Sequence, residues 1–138
     1  VDVAVTLIDG SYHSVDSSEL AFRTAARIAM ADALAAGAPY LLEPVSHVTV
    51  LAPGTATSRI TSAMAGRRGQ MLGMEPAEGW SRWDRIEMLL PAAELHGLDA
   101  ELRSLSQGLA SFTARPDHLA ELGGRLADEI VQRVRDAA

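Results

Sequence analysis

From Val45 onward the hydrophobic pattern switches between a period of two and a period near 3.6, in the order strand, helix, strand, strand, helix, strand. Few small folds accommodate that order. Val45–Ala52 is rich in β-branched residues and closes on Pro53-Gly54, which reads as a strand. Thr55–Arg68 places Ala56, Ile60, Ala63 and Met64 on one helical face and stops at Gly69. Gln70–Ala77 and Asp84–Leu90 read as two strands joined through Glu78, Gly79 and Trp80. After Pro91, Leu95, Leu98, Leu102 and Leu105 form one stripe of a second helix that Gly108 ends, and Ala110–Ala114 is a short closing strand. The expected fold class is α+β: a ferredoxin-like split βαβ domain over Val45–Pro116, with two helices on one face of a four-stranded antiparallel sheet.

Ahead of this unit, Val1, Val3, Val5 and Leu7 lie on one face of an extended segment, with Asp2 and Thr6 on the other, and Asp9-Gly10 signals a turn. Asp16 followed by Glu19 resembles a capping box, and Leu20, Phe22, Ala25, Ala26, Ala29, Met30 and Ala33 make an apolar helical face ending near Gly37. The expected order is strand, loop, helix. Two prolines between Ala38-Pro39 and Glu43-Pro44 mark a domain boundary. At the other end Leu119, Leu122, Leu126, Ile130 and Val134 predict an amphipathic C-terminal helix. Val1 already stands inside an alternating pattern, without an initiator Met or a secretory leader, so the chain is expected to be a fragment.

Composition excludes several chemistries. The chain has no Cys, so thiolate metal sites, thiol nucleophiles and disulfides are out. All 12 basic residues are Arg, and a phosphate-cradling P-loop requires Lys, so nucleotide chemistry is expected outside these residues. A net charge of −6 argues against broad wrapping of nucleic acid while leaving local contacts open. No apolar run approaches the roughly 20 residues of a membrane span, so no membrane partner is expected.

DGSYHSVDSSELAF (Asp9–Phe22) resembles, almost residue for residue, the part of elongation factor G in which a strand reaches the tip of the fourth domain and turns into a helix. Three blocks follow in the family's order: LLEPVSHVTV (Leu41–Val50), GRRGQMLGMEP (Gly66–Pro76) and ELRSLSQGLASFT (Glu101–Thr113), the last followed by PDHLAEL (Pro116–Leu122). The resemblance implies a fourth-domain remnant at 1–42 (strand, tip loop, helix), the ferredoxin-like fifth domain at 43–118 and a C-terminal helix at 119–138.

It further implies a cytoplasmic translational GTPase whose fourth domain enters the decoding site during translocation. GTP and Mg would be bound by the full-length parent, and no cofactor or metal is expected in this fragment. His13 stands where the family has a tip-loop histidine close to transfer RNA and messenger RNA, with Ser11, Tyr12 and Ser14 beside it. An aromatic ring and an imidazole suit exposed RNA edges, and a Gly-containing loop allows close backbone approach. Arg67 and Arg68 are what remains of a longer basic run in the fifth domain, which in the family contacts large-subunit ribosomal RNA. Thr55–Ala65, TATSRITSAMA, replaces an acidic stretch of the family, so a divergent paralogue that clears the A site, protects the ribosome or assists recycling is the alternative. A freestanding ferredoxin-like regulatory module is a third.

Each singled-out residue also has a plainer structural reading. A lone turn histidine is usually just exposed, and no Ser-His-Asp order or carboxylate pair can be assembled from Asp9, His13 and Asp16, so no catalytic residue is expected. Arg67 and Arg68 at a helix C-terminus favour the helix dipole whatever else they touch. Trp80 and Trp83 are expected partly buried against the sheet, and Met71, Met74 and Met88 in the core. His47, His96 and His118 are too scattered to suggest a metal. One strand and one helix cannot close a core, so self-association of the fragment through its incomplete first domain is expected.

Overall fold

The computed structural model describes Val1 and residues 3–137; Asp2, assigned above to the polar side of the first segment, and Ala138 lie outside the described residues. The chain divides into two compact units between Pro39 and Tyr40.

In the first unit Val1 and residues 3–12 form no strand, contrary to the alternating pattern. Leu7 and Ile8 are 89% and 93% exposed. Alternation describes which side chains could share a face, whereas a strand exists only where a neighbour closes its backbone hydrogen bonds. No described residue of this unit supplies that neighbour. A turn at residues 14–16 leads to α1 (Glu19–Ala36). Its N-cap is Ser18, whose Oγ accepts from the Ala21 N–H at 3.2 Å, and not the expected Asp16–Glu19 box. Asp16 belongs to the turn before the helix, where it approaches His13 instead.

The second unit runs β1 (Leu41–Pro53), α2 (Gly54–Gly66), β2 (Gln70–Pro76), β3 (Trp83–Pro91), a 3-10 turn (Ala92–Leu95), α3 (Leu98–Ser106), β4 (Ser111–Leu122) and α4 (Gly124–Asp136). The strands pair antiparallel in the order β2-β3-β1-β4, the arrangement of a ferredoxin-like domain. Alternate residues of the central strands, Val48, Val50, Ile86 and Met88, face α2 and α3 and meet Ile60, Met64, Leu98 and Leu102 in one buried cluster. The intervening residues His47, Thr49, Arg85 and Glu87 face the other side of the sheet.

Several boundaries differ from the sequence pattern for identifiable reasons. β1 begins at Leu41 and takes in Pro44, because residues 41–44 pair with β4 alone and Pro is tolerated where the other side of the strand carries no ladder. The matching length of β4 absorbs Leu119 and Leu122, which were expected on the C-terminal helix: Leu119 lies opposite Pro44 and Leu122 opposite Leu41. A spacing of three is ambiguous over so short a stretch, and an open partner strand decides it. The strand thus runs past Pro116, where the sequence pattern ended the unit, and past residue 118, where the family resemblance ended the domain. Between Ser46–Pro116 and Val45–His118 the register shifts, so Asp117 is an extra residue on the sheet edge. Gly124, at φ +66°, then releases the chain into α4.

The helix expected after Pro91 is broken at His96-Gly97, with Gly97 at φ +71°. Its stripe nevertheless survives the break: Leu98 and Leu102 are buried and Leu95 and Leu105 pack against them. Met88 is in the core, but Met71 and Met74 are half-exposed, because β2 is an edge strand whose residues are all exposed. Trp83 is half-buried and Trp80 exposed, with ring centroids 4.8 Å apart and planes tilted by 57°.

The exit from α2 is a Schellman turn: Gly69 N–H donates to Met64 C=O at 2.9 Å and Arg68 N–H to Ala65 C=O at 3.2 Å. Arg68, at φ +59°, occupies the left-handed position that usually takes Gly. Arg68→Gly is therefore expected to be close to neutral in denaturant melts: relief of left-handed strain, about 1 kcal/mol, offsets ion pairs worth about 0–1 kcal/mol. A loss well above 1 kcal/mol would show that the Arg68 pairs weigh more than such pairs usually do.

Candidate functional site

The loop between residue 8 and α1 is exposed along Ser11, Tyr12, His13 and Ser14, as a contact surface must be. Its local order comes from a ring of hydrogen bonds around His13. The His13 N–H donates to Ser17 Oγ at 2.8 Å, and the His13 carbonyl accepts from the Ser17 N–H at 3.0 Å. One residue thus fixes both sides of the His13 backbone. The ring is held as well: Nδ1 lies 3.3 Å from the Val15 nitrogen, 3.4 Å from the Asp16 nitrogen and 3.2 Å from Asp16 Oδ2. Earlier in the loop, the Gly10 N–H donates to Asp9 Oδ1 at 2.7 Å. The pairing of His13 with Asp16 is open to water, with side chains 67% and 81% exposed, so it orients the ring more than it stabilises the fold.

Arg67 and Arg68 lie in the second unit, and their donors are engaged internally. Arg67 reaches across to the break before α3: Nε meets Glu101 Oε2 at 2.5 Å, and Nη1 donates to the carbonyls of Glu94 at 2.6 Å and His96 at 3.0 Å. Arg68 Nη1 meets both carboxylate oxygens of Glu43 at 2.7 and 3.0 Å, and Nε meets Glu94 Oε1 at 3.2 Å. Hydrogen bonding to Glu43, helped by Glu94, outweighs desolvation and raises the Arg68 pKa above its usual value. The two arginines together pin β1, the end of α2 and the 3-10 turn. Arg67→Ala is expected to lower the stability of this unit by about 1–3 kcal/mol, because two part-buried acceptors, Glu101 Oε2 and the Glu94 carbonyl, lose their donor. A melt unchanged within about 0.5 kcal/mol would show that Arg67 is free for other contacts.

A polar concavity lies on the face of the sheet opposite α2 and α3, with a volume of about 480 Å³ and a lining that includes His47, Thr49, Arg85, Glu87, Thr113 and Arg115. Glu87 lies 3.2 Å from Arg85 and 3.7 Å from His47. The sequence signal for this face is the polar half of the alternation in β1 and β4, His47 and Thr49 opposite Arg115 and Thr113, which motif reading passes over. Among the described residues no group of three or more His, Asp or Glu gathers as a metal site would require, and no helix is long and apolar enough to cross a membrane.

The sequence matches the family profile "Elongation factor G, domain IV" over residues 1–38 and "Elongation factor G C-terminus" over residues 40–130. It is 47% identical over 130 residues to an "Elongation factor G-like protein" of Synechocystis sp., covering 94% of this chain and 19% of that protein. A solved structure from Thermus thermophilus superposes with a TM-score of 0.75 at 38% identity, covering 91% of this chain and 18% of that one. The chain thus spans about a fifth of the length of these relatives.

Proposed function

The chain belongs to the elongation factor G family, and from that membership we propose that it is the ribosome-binding end of a cytoplasmic translational GTPase that moves transfer RNA and messenger RNA through the ribosome. The observation that carries this reading is the exposed, internally braced His13 loop within the part that matches domain IV. A surface that touches RNA must be open and still ordered enough to avoid a large entropic penalty on binding. Ser11, Tyr12, His13 and Ser14 are that surface in this proposal, and the ferredoxin-like unit is the contact to large-subunit ribosomal RNA. Catalysis lies elsewhere: these residues contain no Lys, so a P-loop binding GTP and Mg belongs to another part of the parent.

In the full-length factor, His13→Ala is expected to slow translocation roughly ten- to hundredfold, the effect of losing a charge-assisted hydrogen bond of about 1.5–3 kcal/mol. GTP hydrolysis is expected to change far less, and equal translocation rates for variant and parent would remove this role from the loop.

A second reading, a divergent ribosome-associated GTPase that clears the A site, protects the ribosome or assists recycling, is favoured by one observation. Arg67 and Arg68 spend their donors on Glu43, Glu94 and Glu101, leaving fewer for ribosomal phosphates than a longer basic run would. Complementation of a translocase-deficient strain separates the two readings.

The isolated chain is also expected to self-associate. Val3, Val5, Leu7 and Ile8, together with Leu20 and Phe22 of α1, are more than half exposed. Sedimentation should give a mass above that of the monomer. A clean monomer with residues 1–8 protected from hydrogen exchange would contradict this.

A further inference from the structure

We propose that the tip of the β2–β3 hairpin is a separate point of RNA contact, where the exposed ring of Trp80 stacks on one unpaired base and Arg82 supplies the accompanying cation. The proposal rests on the ribosomal reading above for the source of the RNA, and it concerns residues to which that reading gives no task.

Residues 77–83 fold into two consecutive turns. The backbone N–H of Trp80 donates to the Ala77 carbonyl at 3.1 Å, and that of Trp83 to the Trp80 carbonyl at 3.3 Å. Each turn has a left-handed residue in its third place, Gly79 at φ +77° and Arg82 at φ +64°. The tip is fastened at its base as well: the Ala77 N–H donates to the Trp83 carbonyl at 2.7 Å, and the Arg82 carbonyl accepts from the Gly54 N–H, at the start of α2, at 2.9 Å. The second turn brings the two indoles to 4.8 Å, and half-buried Trp83 supports Trp80, which stays 56% exposed. A lone exposed ring on a surface needs no explanation. This one is braced by a second ring on a tied tip, so little freedom is left to lose on binding.

The chemistry of the tip selects the partner. Glu78, Ser81 and Arg82 are exposed, so Trp80 lacks the surround that keeps water away from an anchor in a protein interface. An unpaired base asks for less: one aromatic face and one cation. Arg82 forms no ion pair among the described residues, whereas Arg85 is shared between Glu75 and Glu87. Stacking also suits a chain of net charge −6, because it does not depend on neutralising many phosphates.

The test uses the full-length factor and ribosomes. Trp80→Ala should weaken ribosome binding at least about fivefold, and Trp80→Phe should stay within about threefold of the parent. A ribosomal RNA base shielded from chemical probing by the parent should become reactive with Trp80→Ala and stay shielded with Trp80→Phe. The thermal melt of Trp80→Ala should coincide with that of the parent, since the ring is exposed. Equal binding by Trp80→Ala and the parent overturns the proposal, as does weakened binding that alters protection of a ribosomal protein and of no base.

A parent that fails to sediment with ribosomes would remove the ribosomal reading, and the isolated chain then decides the stacking. Single-stranded oligoadenylate should quench its tryptophan fluorescence, Trp80→Ala should lose that response, and inorganic polyphosphate of equal charge should not reproduce it. No quenching, or equal quenching by polyphosphate, overturns the proposal.

Discussion

Ile60→Ala is expected to lower the unfolding free energy of the ferredoxin-like unit by about 2–5 kcal/mol, where an ordinary domain has about 5–15 kcal/mol in all. Ile60 is fully buried in the cluster that α2 shares with both central strands and α3. Its removal leaves a cavity that Val50, Ile86 and Leu102 cannot close without leaving their own strands or helix. The measurement is simple because both tryptophans, Trp80 and Trp83, belong to this unit, so their fluorescence follows its unfolding alone. Met71→Ala serves as the control. Met71 sits half-exposed on the edge strand, and its truncation should shift the transition by no more than about 0.5 kcal/mol. Equal losses at the two positions would mean that the core does not lie between the sheet and α2.

Gly69→Ala should be nearly as damaging for a different reason. A Cβ at this position would stand 2.7 Å from the Met64 carbonyl oxygen and 3.2 Å from Leu90 Cδ1. The first of these neighbours is backbone, and it accepts the hydrogen bond that closes the Schellman turn. Relief requires opening the turn or displacing Leu90 from the core, and overpacking of this kind costs about 1–3 kcal/mol. Gly66→Ala gives the contrast. Gly66 ends the same helix with no atom near its Cβ position, and Ala should stabilise the helix by up to about 1 kcal/mol. If both substitutions moved the melt in one direction, the close approach at Gly69 would not be the cause.

The order of elements from Val45 was legible because burial imposes it: Val48 and Val50 must face a core, and the stripe from Leu95 to Leu105 must meet them there. What escaped the pattern depended on partners far away in the chain. Leu119 and Leu122 carry a spacing that suits a helix, and only the presence of Leu41–Pro44 alongside makes them a strand. Val3, Val5 and Leu7 err in the opposite sense, with the alternation of a strand and no ladder to join. In the tip loop, the exposure of His13 followed from its turn context and its family likeness, whereas the clasp by Ser17 and the approach of Asp16 depend on backbone geometry that residue types alone do not specify. Arg67 and Arg68 look in sequence like surface charge. Their carboxylate partners lie 25 or more residues away, beyond the reach of any local pattern.

The two margins of the sheet differ in a way that bears on assembly. Along β4, Pro116 lacks an N–H and Asp117 adds a kink, so a further strand laid there would meet a missing donor and a bend within two residues. The β2 margin has Met71, Leu72 and Met74 half-exposed along it. Extension of the sheet is open on one side only. Two molecules joining there would meet margin to margin across a two-fold axis, and each would turn its blocked side outward, which ends growth at a pair where an open margin on both sides would permit a fibre.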